Sequence, residues 1–136
     1  MNPTTPSACY KIQVRLMCGS DIALGSGKAA LLAAIATHGS ISAAARQLGM
    51  SYRRAWLLVE TLNRCFKTPV VMSNTGGRRG GGAQLTPLGQ TVLTQYQTMM
   101  AAVEQCVSTH TSELSMLLVQ PTEHLASPAI DESPYP

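Results

Sequence analysis

The stretch ISAAARQLGMSYRRAWLL, residues 41–58, leaves few folds open. Ala45, Gly49 four residues on and Ala55 six beyond it have the spacing of a helix-turn-helix. Such a unit needs a small residue where two helices cross, a glycine in the turn and a second small residue beneath the following helix. Ala44, Leu48, Met50 and Leu58 fill the apolar positions between them. Ser51 is placed to cap the second helix, which puts Arg53 and Arg54 in its first turn. There the macrodipole is already positive and each cation is disfavoured by about 0.3–1 kcal/mol. A helix-turn-helix points that first turn into the major groove of DNA. Ser51, Tyr52, Arg53 and Arg54 are therefore expected to meet bases and phosphates, with Ser42 and Arg46 of the preceding helix beside them. The phosphate field neutralises the disfavoured charge, and arginine can hold guanine O6 and N7 with two hydrogen bonds.

The flanking sequence extends this unit to a winged helix. VVMSNT, the run GGRRGGG and AQLT (residues 70–86) read as two strands joined by a mobile glycine loop. Gly76, Gly77, Gly80, Gly81 and Gly82 form the expected wing, and Arg78 and Arg79 at its tip reach flanking backbone or minor groove. A purely solvated charged face, the bland alternative for Arg53 and Arg54, gives these two no use. Before the unit, YKIQVRLM alternates apolar and polar residues from Tyr10 to Leu16, the period of a half-buried strand; CGSD makes a turn and Ile22–Leu24 a return strand. Helices are expected from about Gly27 to Thr37 with Ser26 as cap, from Ser42 to Leu48, and from Ser51 to about Phe66. On the last, Ala55, Leu58, Val59, Leu62 and Phe66 share one face.

Thr86-Pro87 starts a further helix, a capping hydroxyl followed by proline at the first helical position. The pattern continues toward Leu118. Val92, Tyr96, Met99, Val103, Cys106, His110, Leu114 and Leu117 recur at intervals of three or four, a seam for a twin helix. The competing reading breaks the helix at STHTSE (108–113) and folds the rest back. The fold class is thus mainly α with small β: a winged helix-turn-helix with an N-terminal β-hairpin and a long C-terminal dimerisation helix. The expected division is a disordered leader at 1–9, the DNA-binding domain at 10–86, the dimerisation helix at 87–118 and a disordered, acidic, proline-rich tail at 119–136.

Charge and cysteine usage narrow the partners. The chain has 136 residues and a net charge of +3, but all ten Lys/Arg precede Val119, while Glu123, Asp131 and Glu132 follow it. From Arg46 to Arg79, Arg53, Arg54, Arg64, Lys67 and Arg78 lie between the two ends against Glu60 alone, so a polyanion such as double-stranded DNA is the indicated partner. Cys9, Cys18, Cys65 and Cys106 have no metal-ligand spacing and are expected to be buried, reduced thiols, with no metal or other cofactor. No secretory or membrane-spanning pattern is present, so a bacterial cytoplasm, close to the nucleoid, is the expected location. GSGKAALL (25–32) has part of a phosphate-binding loop, but Ile22 stands where that loop needs glycine and Ala29 where it needs Ser or Thr. His38, His110 and His124 form no catalytic set with Ser, Cys or Asp, and no enzyme is expected.

ALLAAIATHGSISAAARQLGMSYRRAWLLVETLN and NTGGRRGGGAQLTPLGQ closely resemble the N-terminal DNA-binding domain of the ModE family of molybdate-responsive regulators, whose winged helix is related to that of LysR-type regulators. The likeness covers about residues 10–100. It implies a recognition-helix role for Ser51, Tyr52, Arg53 and Arg54 and a wing role for residues 76–83. Trp56 also matches, either as core or at the DNA-facing edge. Family members continue into β-barrel modules that bind molybdate, and the residues after Leu118 are too few to build one. The resemblance thus implies a repressor of molybdate transport or molybdenum-related genes; the seam adds a homodimer. Because the dense donor cluster of this sequence is the glycine wing, which DNA would occupy, binding is expected to be constitutive unless a separate sensing chain joins the dimer. The rival is an interaction module that pairs with a full-length regulator without touching DNA.

Overall fold

A computed structural model describes residues 10–74 and 82–119. The expected leader, the wing tip with Gly76, Gly77, Arg78, Arg79, Gly80 and Gly81, and the tail from residue 120 lie outside the described residues. In chain order the elements are β1 (Leu16–Cys18), β2 (Asp21–Leu24), α1 (Ser26–His38), α2 (Ile41–Leu48), α3 (Tyr52–Cys65), β3 (Val71–Asn74), β4 (Gly82–Leu85) and α4 (Pro87–Met116). β1 and β2 form one antiparallel pair, β3 and β4 another. This is the winged helix-turn-helix, α with small β, that the sequence implies.

The core is built from small and aliphatic side chains of all three short helices. Leu31, Leu32 and Ile35 of α1, Ala44 and Ala45 of α2, and Ala55, Val59 and Leu62 of α3 are buried together with Val70, Val71, Ala83, Leu85, Leu93 and Tyr96. Ala44 and Ala55 are wholly inaccessible, and with no side chain beyond Cβ they let α2 and α3 approach closely. Leu58 and Phe66 pack against this cluster at half burial, which completes the apolar face expected of α3.

The hairpin is shorter than the alternation suggests. Tyr10, Ile12 and Val14 are half-buried and Lys11, Gln13 and Arg15 exposed, so the period is real, yet β1 starts only at Leu16. Period-2 burial reports which side of an extended chain faces a core and not whether a strand lies beside it. Here the segment lies over α1 and α4, where Tyr10 and Ile12 line a groove with Ala30, Met100 and Glu104, and the Tyr96 hydroxyl donates to the Val14 carbonyl at 3.4 Å. Ser26 is not the cap of α1: Gly25 occupies that position without a side-chain hydrogen bond, and Ser26 is the first helical residue. The cysteines also depart from expectation. Cys18 sits at the exposed end of β1 and Cys106 on the exposed half of α4; Cys65 is half-buried, and all three are free thiols.

α4 is unbroken from Pro87 to Met116, so STHTSE does not interrupt it; its 30 residues run about 45 Å. Thr86 caps it by accepting from the Gly89 N–H at 3.0 Å, with proline in the first turn. Its first half is committed to the core of its own domain. Tyr96 is 7% exposed, and Val92 and Met99 pack on the core cluster. Tyr96 therefore leaves the expected seam: the same spacing that would serve a twin helix already serves the domain beneath. From Val103 onward the seam positions Cys106, His110, Leu114 and Leu117 are exposed.

Gly89 passes so close to β3's approach that a Cβ there would collide with the Val70 carbonyl. Gly89→Ala is therefore expected to destabilise the fold by about 1–3 kcal/mol through overpacking. Gly27→Ala, with nothing within 4 Å of the new methyl, should be neutral or stabilising by up to about 1 kcal/mol. Thermal denaturation of both variants checks the pair; equal melting temperatures would refute the close packing of α4 on Val70.

Candidate nucleic-acid interface

The turn between α2 and α3 is set by a backbone cap at one end and a side-chain cap at the other. Gly49 takes φ +71, a left-handed conformation that side-chain-bearing residues rarely adopt. Its N–H and that of Met50 return to α2, Met50 donating to the Ala45 carbonyl at 3.0 Å, which satisfies the orphaned carbonyls of the helix end. On the far side the Ser51 hydroxyl oxygen accepts from the Arg54 N–H at 3.1 Å. The Ser51 O–H keeps its own proton to donate. At the start of α2 the cap is Ser40, which accepts from the Ala43 N–H at 3.0 Å; Ser42 lies just inside and is exposed.

α3 divides into two residue sets. Ala55, Val59 and Leu62 are buried, while Tyr52, Arg53, Arg54, Trp56, Leu57 and Glu60 are exposed. Tyr52 is 55% and Trp56 44% exposed. Trp56 thus belongs to the outer face and not to the core, one turn beyond Tyr52. No acidic residue stands in the first turn of α3 to offset its arginines. Ser42, Arg46, Ser51, Tyr52, Arg53 and Arg54 are therefore all presented outward by the α2–turn–α3 unit. Of the expected wing, Gly82 is described: it pairs with Asn74 at the open end of the β3–β4 ladder, and a Cβ on it would come 3.3 Å from the Gly39 carbonyl. Arg78 and Arg79 belong to the undescribed residues between the strands.

Asn63, a residue that sequence reasoning missed, ties the wing to α3. Its Oδ1 accepts from the N–H groups of Val70 at 2.8 Å and Val71 at 3.1 Å, and its Nδ2 donates to the Val71 carbonyl at 3.1 Å. A lone asparagine near a helix end carries no sequence signal of such a role, since its partners are backbone atoms seven and eight residues away. The Gly82 end of β4 is fixed to the cap of α1 by the Ala83 N–H, which donates to the Gly39 carbonyl at 2.9 Å.

The described residues hold no group of three or more His, Cys, Asp or Glu able to take a metal ion, and none of their helices is long and apolar enough to cross a membrane. What the surface offers is a rigid helical unit with exposed hydrogen-bond donors, cations and aromatic edges.

Residues 28–90 match the family described as bacterial regulatory helix-turn-helix protein, LysR family. This segment is a LysR-type helix-turn-helix domain. Over its N-terminal part the chain is similar to ModE-type proteins. It is 43% identical over 93 residues to the molybdenum-pterin-binding protein MopB of Rhodobacter capsulatus, covering 68% of this chain and 34% of that protein. It is 37% identical over 87 residues to the molybdenum transport protein ModE of Azotobacter vinelandii, covering 62% and 32%. With the DNA-binding transcriptional dual regulator ModE of Escherichia coli it shares 40% over 75 residues, covering 55% and 28%. The chain spans about a third of the length of these curated relatives.

Removing the Asn63 side chain strands two N–H groups and a carbonyl at the wing's root. Asn63→Ala is expected to cost about 1–3 kcal/mol and to accelerate hydrogen exchange at the Val70 and Val71 amides while sparing those of α1. Unchanged exchange at both amides would show that the wing is held by other contacts.

Proposed function

We propose that this protein is a sequence-specific DNA-binding transcriptional regulator that acts as a homodimer on molybdate transport or molybdenum-related genes, most simply by repressing them through occupancy. The observation that carries the reading is the outward-facing first turn of α3. Arg53 and Arg54 stand there, just inside the Ser51 cap, with no acidic residue in that turn. Two cations at a helix start are unfavourable in the free protein and become favourable when a phosphate backbone supplies the missing negative charge. Tyr52 and Trp56 add aromatic edges beside them. The names of the relatives, one of them a DNA-binding dual regulator, support the same direction.

In this reading residues 10–86 are the DNA-binding domain, with Ser42, Arg46, Ser51 and Tyr52 beside the two arginines and with Arg78 and Arg79 at the wing. Residues 87–118 are the dimerisation helix. Its support is the outer half of α4 and the cap that follows it, where Leu114 is 62% and Leu117 80% exposed, an apolar surface that a twin helix would cover together with Val103, Cys106 and His110. The second reading, pairing with a longer regulator without contact to DNA, shares this helix but gives the arginines no task.

Measurements of DNA binding and of oligomeric state test the proposal. Arg53→Ala and Arg54→Ala should each cost about 1–3 kcal/mol at a selected site if they touch bases, whereas Arg78→Ala and Arg79→Ala should weaken all sequences more evenly. Selection from fragmented genomic DNA supplies the site, and failure to enrich any site would favour the pairing module. With three to five phosphate contacts per protomer, a dimer should lose about 10³–10⁵ in affinity between 50 and 200 mM salt. For the helix, light scattering should give a dimer at tens of micromolar, and Leu114→Glu with Leu117→Glu should shift it to monomer; a wild-type monomer at that concentration would remove the dimer from the proposal.

A further inference from the structure

The wing occupies one side of α3, and the opposite side carries a second group of cations. Asn63, which holds β3, and Arg54 are nine residues apart, about 180° around a helix of 3.6 residues per turn. Cys65, eleven residues from Arg54, returns to within about 20° of it. Both belong to the surroundings of Lys28, whose titratable neighbours are Cys65, Asp21, Arg54 and Arg15. Lys28 itself sits in the first turn of α1. Arg15 reaches the same place from the segment before β1: a Cβ added to the cap residue Gly25 would lie 3.5 Å from Arg15 Cγ. Three separate parts of the chain thus bring a cation to one flank of α3. Asp21, the acid in this set, is ion-paired with Arg64 at 3.4 Å.

We propose that Arg15, Lys28 and Arg54 form a cationic shelf that receives the phosphodiester backbone of DNA on the side of α3 opposite the wing. The inference rests on the DNA-binding reading and adds to it a second wall. The major groove is about 12 Å wide and bounded by two backbones; a helix lying in it with a wing on one flank leaves the other strand to whatever stands on the far side. The shelf is the set of positive charges at that place. Its composition has a cost in the free protein: burial first, then the adjacent Arg54 and Arg15, hold the Lys28 amine below its ordinary range, while Cys65 and Asp21 act in the opposite sense. An arriving phosphate removes that mutual repulsion. The fragment GSGK, which is not a nucleotide-binding loop, acquires a use here as the stretch that carries Lys28 to the flank.

The experiment uses the full chain and a labelled duplex of about 30 base pairs of arbitrary sequence, with affinity followed by anisotropy across a range of salt. For the wild type, log affinity falls with log salt in proportion to the phosphates contacted, about 0.9 per contact. Lys28→Gln and Arg15→Gln should each weaken binding and flatten that slope by about one contact per protomer. Lys11→Gln removes the same charge from an exposed site outside the shelf and should leave the slope unchanged. Unfolding curves of each variant separate lost contacts from lost fold. If Lys28→Gln binds like the wild type while Arg53→Ala weakens binding, the shelf is wrong and the DNA-binding reading stands. An equal effect of Lys11→Gln would also overturn the shelf, reducing it to bulk charge. Wild-type protein that binds no duplex at low salt would overturn the DNA-binding reading itself.

Discussion

The backbone at Val70 is the point on which the arrangement of this protein depends. Its N–H donates to Asn63 of α3, its carbonyl accepts from the Thr86 N–H at the head of α4 at 3.0 Å, and Gly89 of α4 packs against that same carbonyl. Val70 is wholly inaccessible to solvent, so none of these partners can be replaced by water without opening the core, and each unpaired group would cost about 1–3 kcal/mol. A single peptide segment therefore sets three directions at once: where α3 points, where the two wing strands leave the core, and the angle at which α4 departs. α3, the β3–β4 strands and α4 are not independently mobile attachments in this geometry. They share one joint.

Charge and burial are kept apart elsewhere. Among the described residues the buried set is apolar and contains no charged or polar side chain, so no part of the described core depends on the neutralisation of a buried ion. The described ion pair, Arg64 with Asp21, is about half exposed on both sides, where such a contact contributes about 0–1 kcal/mol. The exposed Arg53 and Arg54 of α3 are not counter-ions to any buried charge of the described core.

Much of this was legible because it rests on local rules. Ala45, Gly49 and Ala55 specify a close helix crossing and a left-handed turn by size and backbone freedom alone, and Ser51 and Thr86 cap helices wherever they meet a free N–H three residues on. What stayed hidden was tertiary. The alternation from Tyr10 to Val14 records an apolar side without saying that the neighbours are helices, so a seven-residue strand was expected where β1 has three residues. Ser26 has the chemistry of a cap, but the chain enters α1 one residue earlier, over Arg15 and Ile22. The interval that puts Tyr96 on a seam is the interval that puts it on the domain's own core; periodicity gives a face and not its occupant. Asn63 could not be found at all, because its role is defined by backbone atoms that only the fold brings to it. The outward residues of α2 and α3 were recoverable since exposure follows from the helical period once the buried face is known.

The division of α3 into Ala55, Val59 and Leu62 on one side and Tyr52, Arg53, Arg54, Trp56 and Leu57 on the other has an evolutionary reading. Residues that build the scaffold and residues that face outward are disjoint sets on one short helix, and substitution in the outer set leaves the buried set intact. The outer set can be rewritten position by position while every intermediate sequence still folds. A lineage built on this helix can change what it recognises by small steps through viable proteins, and the alanines beneath keep the register of the helix constant while it does so.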